Sequence, residues 1–441
     1  MSMFSEKEWD NIFGSDPFIE LSSTERKYLA LAYIDESWDV KKYVSKTNLW
    51  YTRVIAFFDS NTIVKVILEQ NQVWKDGTIN CRSYCEYDTT LKTSEGMLLP
   101  LTDRGKAKKL SASTISSIPA FGCEIDFSKR RQDGAFLLLR NPRANKEFPI
   151  GETERIEKIQ NNTDFHSFME YYINTCASDY FDKLAAFKNA KKVTVRYKPG
   201  DIFRVDYDRT HYGYGLITGT VKQFLAMKDL PEDHSLRSLM TVPIMIRPYK
   251  LLSSKSDLKA EDLSSVPLGR MMICSDNDII WGTHAIVDHK KLEPNEIEFH
   301  LVCSKVINRT PHTTLFTQDM LIKDKLIPDL GYNLYVEWGF AHTYISFSKI
   351  SNKLKEYLRD YSSPHGGVRM GIPTYIFDDN KLRSDYSYKM DLLNTENDEF
   401  RKELFSCLGL PDNADFDTFN KAFGGLSKYQ ICERINAGKK N

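Results

Sequence analysis

The sequence has no apolar run long enough to cross a membrane. Its longest apolar stretches are of the size of residues 135–139, whereas a membrane-spanning helix needs about 20 residues. The first ten residues carry Glu6, Lys7, Glu8 and Asp10 where a signal peptide has a basic head and an apolar core. We therefore expect a cytoplasmic protein that has no membrane partner.

Closely spaced cysteines are scarce as well. The eight cysteines are dispersed along the chain, and only Cys81 and Cys85 are near one another. Disulfide frameworks of secreted proteins concentrate their cysteines in short chains. The pattern is therefore typical of reduced thiols, which agrees with a cytoplasmic location.

Neither sign of charge is in excess. Sixty Lys and Arg residues balance sixty Asp and Glu residues, so the formal net charge is zero. A domain that binds nucleic acid usually carries a basic patch or excess. Two local basic segments are present, residues 104–109 and Lys129-Arg130-Arg131, and a solvated charged loop explains each of them more simply. The sequence does not favour nucleic acid as the partner.

Signatures of common enzymes are missing. The chain has no Gly-x-Ser-x-Gly elbow, no His-Glu-x-x-His helix, no Rossmann glycine fingerprint and no kinase signature. The glycine-rich segment 362–369 lacks the Gly-Lys-Ser/Thr of a phosphate-binding loop, so we interpret it as a turn rather than an anion site. We therefore predict no enzyme, no catalytic residue and no cofactor.

One cluster of metal-ligating residue types invites a zinc hypothesis. Its members are Cys274, His284, His289, His300 and Cys303. No Cys-x-x-Cys pair occurs among them, and the two histidines closest in sequence lie in a segment that we read as strand and turn, where helical pairing is impossible. We therefore predict no metal site among these residues.

The length of 441 residues indicates two or three domains, because single hydrophobic cores stop growing well below that size. We predict an α+β multidomain protein. Residues 1–190 are expected to form an N-terminal α+β region that ends in a helix, residues 191–310 a mostly antiparallel β domain, and residues 311–441 a C-terminal α+β region.

Local patterns predict the elements of these regions. Ser22 and Glu25 are typical of a helix start. Runs rich in β-branched and aromatic residues at 50–58 and 62–68 indicate two antiparallel strands. Further elements are a buried strand at 135–139, helices within 163–190, a strand at 332–340, a helix through Leu354 and Leu358, and helices at 398–408 and 415–422.

Two motifs at the ends of the central region carry a family resemblance. The first is Lys198-Pro199-Gly200-Asp201-Ile202-Phe203, followed by His211-Tyr212-Gly213-Tyr214-Gly215-Leu216-Ile217. The second is Ile279-Ile280-Trp281-Gly282-Thr283-His284, followed by Leu292-Glu293-Pro294. In order and spacing they resemble the immunity protein 26 family of bacterial polymorphic toxin systems. The resemblance covers about residues 195–305.

The resemblance implies a function and a set of contact residues. Immunity proteins of this kind neutralise a cognate toxin by stoichiometric contact, so the implied partner is a protein toxin, for instance a nuclease. Glycines between aromatic residues suit a small, strongly curved antiparallel sheet or barrel. Exposed acids and aromatic anchors commonly dominate such contacts. The expected partner-binding residues are Asp206, Asp208, Tyr212, Tyr214, Asp276, Asp278 and Trp281.

The alternative hypothesis is a nucleic-acid-processing enzyme. Pro199-Gly200-Asp201 also resembles the opening of some toxin barrels with endoribonuclease activity, and the two basic segments could contact phosphates. Each expected aromatic anchor could equally belong to the core. The sequence leaves the functions of the flanking regions open.

Overall fold

A computed structural model describes the greater part of the chain. The described residues are 13, 18–47, 50–73, 79–99, 105–106, 108–118, 120–130, 134–232, 234–239, 243–306, 333–360, 369, 371–378, 382 and 389–437. The chain divides into two compact units, which we call the N-terminal unit, Met1–Thr194 with Asp208–Thr210, and the C-terminal unit, Val195–Tyr207 with His211–Asn441.

The N-terminal unit is built on one nine-stranded antiparallel sheet. The strands are β1 (Asp39–Thr47), β2 (Trp50–Asp59), β3 (Thr62–Val73), β4 (Ile79–Ser94), β5 (Met97–Leu98), β6 (Lys108–Lys109), β7 (Glu124–Arg130), β8 (Gly134–Asn141) and β9 (Lys146–Pro149). The main order is β1-β2-β3-β4-β7-β8-β9, and β5 and β6 extend from β4. The expected antiparallel pair at 50–68 is confirmed as β2 and β3.

Both faces of this sheet are covered, because successive side chains of its central strands point alternately into two separate cores. Ile55 and Phe57 belong to one buried cluster, and Val54 and Ala56 belong to another. The helices of the unit are α1 (Ser23–Tyr28), α2 (Ala112–Ile115), α3 (Thr153–Ile156), α4 (Asn162–Asn174) and α5 (Tyr180–Lys188). The predicted start of α1 is confirmed, since Ser22 and Glu25 form a reciprocal capping box.

A buried ionic network crosses the centre of this sheet. The Lys65 ammonium is fully buried and contacts Glu86 at 2.8 Å and Asp88 at 2.6 Å. Arg26 pairs with Glu86 at 2.9 Å, and the Tyr84 hydroxyl donates to the same carboxylate at 2.6 Å. Burial raises the pKa of Glu86, but Lys65 and Arg26 outweigh it and hold that pKa below its ordinary value. The network is therefore a fixed, charged part of the core.

The C-terminal unit contains an open five-stranded sheet and a three-stranded sheet. The five strands are β10 (Asp201–Asp206), β11 (Tyr212–Thr220), β12 (Ile244–Ser253), β13 (Met272–Cys274) and β14 (Ala285–His289), in the order β13-β12-β11-β10-β14. The three strands are β15 (Leu301–Val306), β16 (Asn333–Trp338) and β17 (Ala341–Ser346). The expected curved antiparallel sheet is confirmed in its open form, because β13 and β14 remain edge strands in the described residues and no barrel closes there.

Helices cover these sheets. They are α6 (Val221–Leu225), α7 (Asn277–Ile280), α8 (Asn352–Asp360), α9 (Asp398–Leu408), α10 (Phe416–Phe423) and α11 (Lys428–Ala437). The helices expected at 398–408 and 415–422 are confirmed as α9 and α10. The segment from His284 to His289, which we read as strand and turn, contains β14, and the short helix α7 before it was not predicted.

One hydrophobic cluster joins the central region to the C-terminal region. It contains Tyr214 and Leu216 of β11 together with Val336 of β16, Phe405 of α9 and Phe419 of α10. The predicted boundary at 310/311 lies outside the described residues, so the three-region division stays a prediction. None of the helices that the structure describes combines the length and the apolar character that a bilayer crossing requires.

Candidate functional site

The Pro-Gly turn fixes the start of β10. The Asp201 amide donates to the Lys198 carbonyl at 3.1 Å, and the Asp201 carboxylate accepts the Lys198 amide at 2.8 Å. Gly200 has a φ of +93°, and a Cβ there would overlap the carbonyl oxygen of Lys290. Only glycine fits this position without displacing the backbone.

The same turn is tied to the far end of the central region. Nδ1 of His289 lies 2.8 Å from Oδ1 of Asp201, and the His289 side chain is 42% exposed whereas Asp201 is nearly buried. β14, which ends at His289, pairs with β10, which begins at Asp201. The two sequence motifs therefore meet on one edge of the five-stranded sheet.

The Tyr-Gly-Tyr-Gly segment separates its two residue types onto opposite faces of β11. A Cβ on Gly213 would overlap the Phe377 ring, and one on Gly215 would overlap the Phe203 ring. Tyr214 points to the other face, where it is fully buried and its hydroxyl donates to the Lys255 carbonyl at 2.6 Å. The glycines are thus needed for close packing of two aromatic rings.

The turn end of the β10–β11 hairpin holds three of the predicted contact residues. Asp206 and Tyr212 are opposite one another in the register, and both are partly exposed. Arg204 pairs with Asp206 at 3.0 Å and lies 4.9 Å from the centre of the Tyr212 ring. Asp208 is buried, and its carboxylate accepts the Thr210 amide at 2.8 Å in the turn. Asp208 therefore shapes the turn, and Asp206 and Tyr212 form its accessible end.

A second group lies on and beside α7. Asp276 accepts the Tyr197 hydroxyl at 2.6 Å, and Asp278 accepts the Ile372 amide at 2.9 Å. Burial raises the pKa of Asp278, although the bond from Ile372 opposes that effect. Burial and the bond to Asp276 also raise the pKa of Tyr197. Trp281 is the half-buried C-cap of the helix.

The register shows that these two groups lie at opposite ends of the five-stranded sheet. Tyr212 opens β11 at the hairpin end, whereas Thr220 closes it beside Ile244, which in turn pairs with Cys274. α7 follows Cys274 after a short connection. At about 3.4 Å per residue, the length of β11 separates the groups by on the order of 25 Å. The structure thus brings Asp206 and Tyr212 together at one end. It groups Asp276, Asp278 and Trp281 at the other end, so the two groups do not form one site.

Arg204, Tyr197 and the Asp201–His289 pair were not among the predicted contact residues. Arg204 precedes Asp206 by two positions, which on a strand places both side chains on the same face, so the alternation could have identified it. Tyr197 and His289 gave no local signal, because their partners are distant in sequence.

The metal-type residues do not assemble in the described part of the chain, where no three His, Cys, Asp or Glu side chains are grouped as metal ligands. Burial raises the pKa of the Cys274 thiol to about 12. That thiol therefore stays protonated at neutral pH and is a poor ligand, since thiolates bind metals. The glycine-rich segment at 362–369 lies outside the described residues apart from Arg369.

The Pro-Gly turn and β11 contain the first motif of the family resemblance, and close packing there requires the glycines of that motif. Residues 198–307 match the model of the immunity protein 26 family. The match covers the five-stranded sheet, α7 and β15, and it leaves the rest of the chain unmatched. No curated protein and no solved structure matches the chain.

Proposed function

We propose that this protein is an immunity factor that binds a cognate bacterial toxin by stoichiometric contact and neutralises it in the cytoplasm. The observation that carries the proposal is the family match over residues 198–307. The structural role of the glycines in the matched segment supports the proposal. Gly200 and Gly213 permit close packing of the scaffold, and such a scaffold suits the presentation of a fixed surface.

The proposed contact residues are those at the accessible ends of the sheet. Asp206 and Tyr212 form one patch with Arg204, and Asp276 and Trp281 form the other. Asp278 supports the second patch through its bond from Ile372, while Asp208 and Tyr214 hold the hairpin in shape. Partly exposed aromatics bordered by charged groups are typical of contact residues that lose water on binding.

The proposed toxin class is a nuclease with a basic substrate cleft. Acids on the inhibitor would then accelerate encounter and confer specificity. Each patch offers one acid that a neighbouring side chain holds among the described residues, Arg204 for Asp206 and Tyr197 for Asp276. Such acids can exchange that partner for a toxin cation without breaking the core.

Co-expression tests the proposal. The neighbouring gene is first sequenced for a secreted chain with a toxin domain, that toxin is produced with the wild-type chain or with a variant, and survival is counted. One double variant, Asp206→Lys with Tyr212→Ala, disrupts the first patch, and the other, Asp276→Lys with Trp281→Ala, disrupts the second. At least one of the two double variants should abolish protection. Glu261→Lys changes an exposed acid of a loop and serves as the matched control. Killing by the toxin in the presence of soluble wild-type chain would contradict the proposal.

A second candidate function is cleavage of nucleic acid, and one observation favours it. An imidazole that is oriented by a carboxylate and partly open to solvent, as in the Asp201–His289 pair, is the arrangement of a general base. RNA and DNA incubated with the purified protein would decide between the two candidates. Metal-independent cleavage that His289→Gln abolishes would replace the immunity function with the enzymatic one.

A further inference from the structure

A cavity of about 450 Å³ lies inside the C-terminal unit. The family-matched segment contributes Arg270, Glu298 and Phe299 to its walls. The remaining lining comes from the C-terminal part of the chain and includes Trp338, Arg401 and Lys428. Neither part of the chain forms the cavity alone, and its size is within the range of small-molecule sites.

Three aromatic rings build one wall. Phe299 and Phe416 stack with ring centres 5.9 Å apart, and Trp338 meets Phe416 edge-on at 5.6 Å. The Trp338 indole nitrogen donates to the Phe299 carbonyl at 3.1 Å, which fixes the ring. This wall is apolar and aromatic, and it is held in place before any ligand arrives.

The cations of the cavity differ in how far they are neutralised. Arg270 is held by Glu298 and by Asp391, the latter at 2.7 Å. Arg401 is held by Asp398 at 2.5 Å. For the Lys428 ammonium, the described residues supply no carboxylate within ion-pair distance. The ammonium lies 5.6 Å from the centre of the Phe416 ring. Burial, reinforced by Arg247 and Arg270, lowers the pKa of Lys428, although Asp417 and Asp415 oppose that effect.

The acids of the cavity limit the charge of a ligand. Glu298 is engaged by Arg270 and by Arg247, and Asp415 accepts the amide and the hydroxyl of Thr418. Asp412 is exposed at the rim. These carboxylates would repel a polyanion, whereas a single negative group at Lys428 replaces the missing partner.

We propose that this cavity binds a small organic monoanion, with a planar apolar group against Trp338 and Phe416 and a carboxylate at Lys428. The site shares no lining residue with the two proposed toxin-contact patches. It gives the C-terminal part of the chain a function of its own, because Trp338, Phe416 and Lys428 all lie outside the family-matched segment.

Titration calorimetry of the full-length protein tests this site with two matched probes. Phenylacetate carries the required charge, and phenylacetamide has nearly the same shape without it. We expect phenylacetate to bind and phenylacetamide to bind at least tenfold more weakly. Lys428→Met keeps the apolar stem and should weaken phenylacetate binding about 10- to 100-fold, the usual range for a lost charge-assisted hydrogen bond.

Two further variants keep the test decisive. Lys421→Met removes an exposed lysine of α10 and should leave the affinity unchanged. Ala414→Phe fills the cavity from its lining and should block both probes while the melting temperature is retained. The proposal is overturned if phenylacetate gives no heat at millimolar concentration, if both probes bind equally, or if Lys428→Met and Ala414→Phe proteins that remain folded bind as the wild type does.

Discussion

Gly200 and Lys290 are in direct backbone contact. The Lys290 amide donates to the Gly200 carbonyl at 2.9 Å, and the Lys290 carbonyl oxygen occupies the space that a Cβ on Gly200 would need. Gly200 belongs to the first motif of the family-matched segment, and Lys290 follows the strand that the second motif leads into. The contact joins the turn that opens β10 to the residue that follows β14 at one edge of the sheet.

Replacement of Gly200 should therefore be costly. Gly200→Ala adds strain at a φ of +93° and a clash with Lys290, so we expect a loss on the order of 3 kcal/mol in the free energy of unfolding. Gly409→Ala is the control, because Gly409 has a φ of +71° with open space around it, and it should cost about 1 kcal/mol. Urea denaturation measures both, and equal losses would contradict this explanation.

The Asp201–His289 pair should contribute little to stability despite its short distance. The imidazole is 42% exposed, and partly exposed ion pairs are typically worth about 0.5 kcal/mol. A double-mutant cycle with Asp201→Asn and His289→Gln measures the coupling free energy. A coupling well above 1 kcal/mol would show that the pair has a larger structural role than its exposure indicates.

The glycine face of β11 makes a prediction that depends on a neighbour. Gly213→Ala should destabilise the protein by about 2 kcal/mol, because the new methyl group overlaps the Phe377 ring. In a Phe377→Ala background the same change should cost much less, since the ring is gone. Thermal unfolding of the single and double variants provides the test, and additive losses would rule out the proposed clash.

The buried network of the N-terminal unit should give the protein an acid-sensitive step. The pKa of Glu86 is lowered in the folded state, so its contribution is present above the unfolded value of about 4.3 and is lost as the pH falls through the lower folded value. Glu86→Gln should flatten this acid limb and should cost about 3–5 kcal/mol at neutral pH, because Lys65 loses a buried partner.

The control for this prediction is Glu36→Gln, which alters an exposed acid of the same unit. Denaturant unfolding between pH 3 and pH 7 should give parallel curves for wild type and Glu36→Gln. If Glu86→Gln has the same pH dependence as the wild type, the network does not stabilise the fold in its charged form.

Elements with a strong local pattern were predictable from sequence. β2 and β3 follow from β-branched and aromatic runs, and α9 ends at Gly409, which takes the left-handed conformation of a helix cap. Helix α7 was not predicted because a helix of a single turn has no periodicity to detect. Helix α11 was not predicted, although its Ile431 and Ile435 lie four positions apart in the core.

Relationships between distant segments could not be predicted. Lys428 lines the same cavity as Arg270 only after β13 and α11 have packed onto one core. The separation of Asp206 from Asp276 depends on the strand order β13-β12-β11-β10, which no local pattern specifies. Nothing in the sequence distinguishes Asp206 from Asp276, so both were assigned to one predicted site. The strand register puts them at opposite ends of a sheet.

The most direct test of toxin neutralisation is a calorimetric titration of this protein with the neighbouring toxin, made harmless by substitution of its catalytic residue. We expect one toxin domain to bind per chain, and we expect binding to be lost when the contact patch at Asp206 and Tyr212, or that at Asp276 and Trp281, is replaced. The absence of binding at micromolar concentrations of both folded proteins would contradict the proposed function.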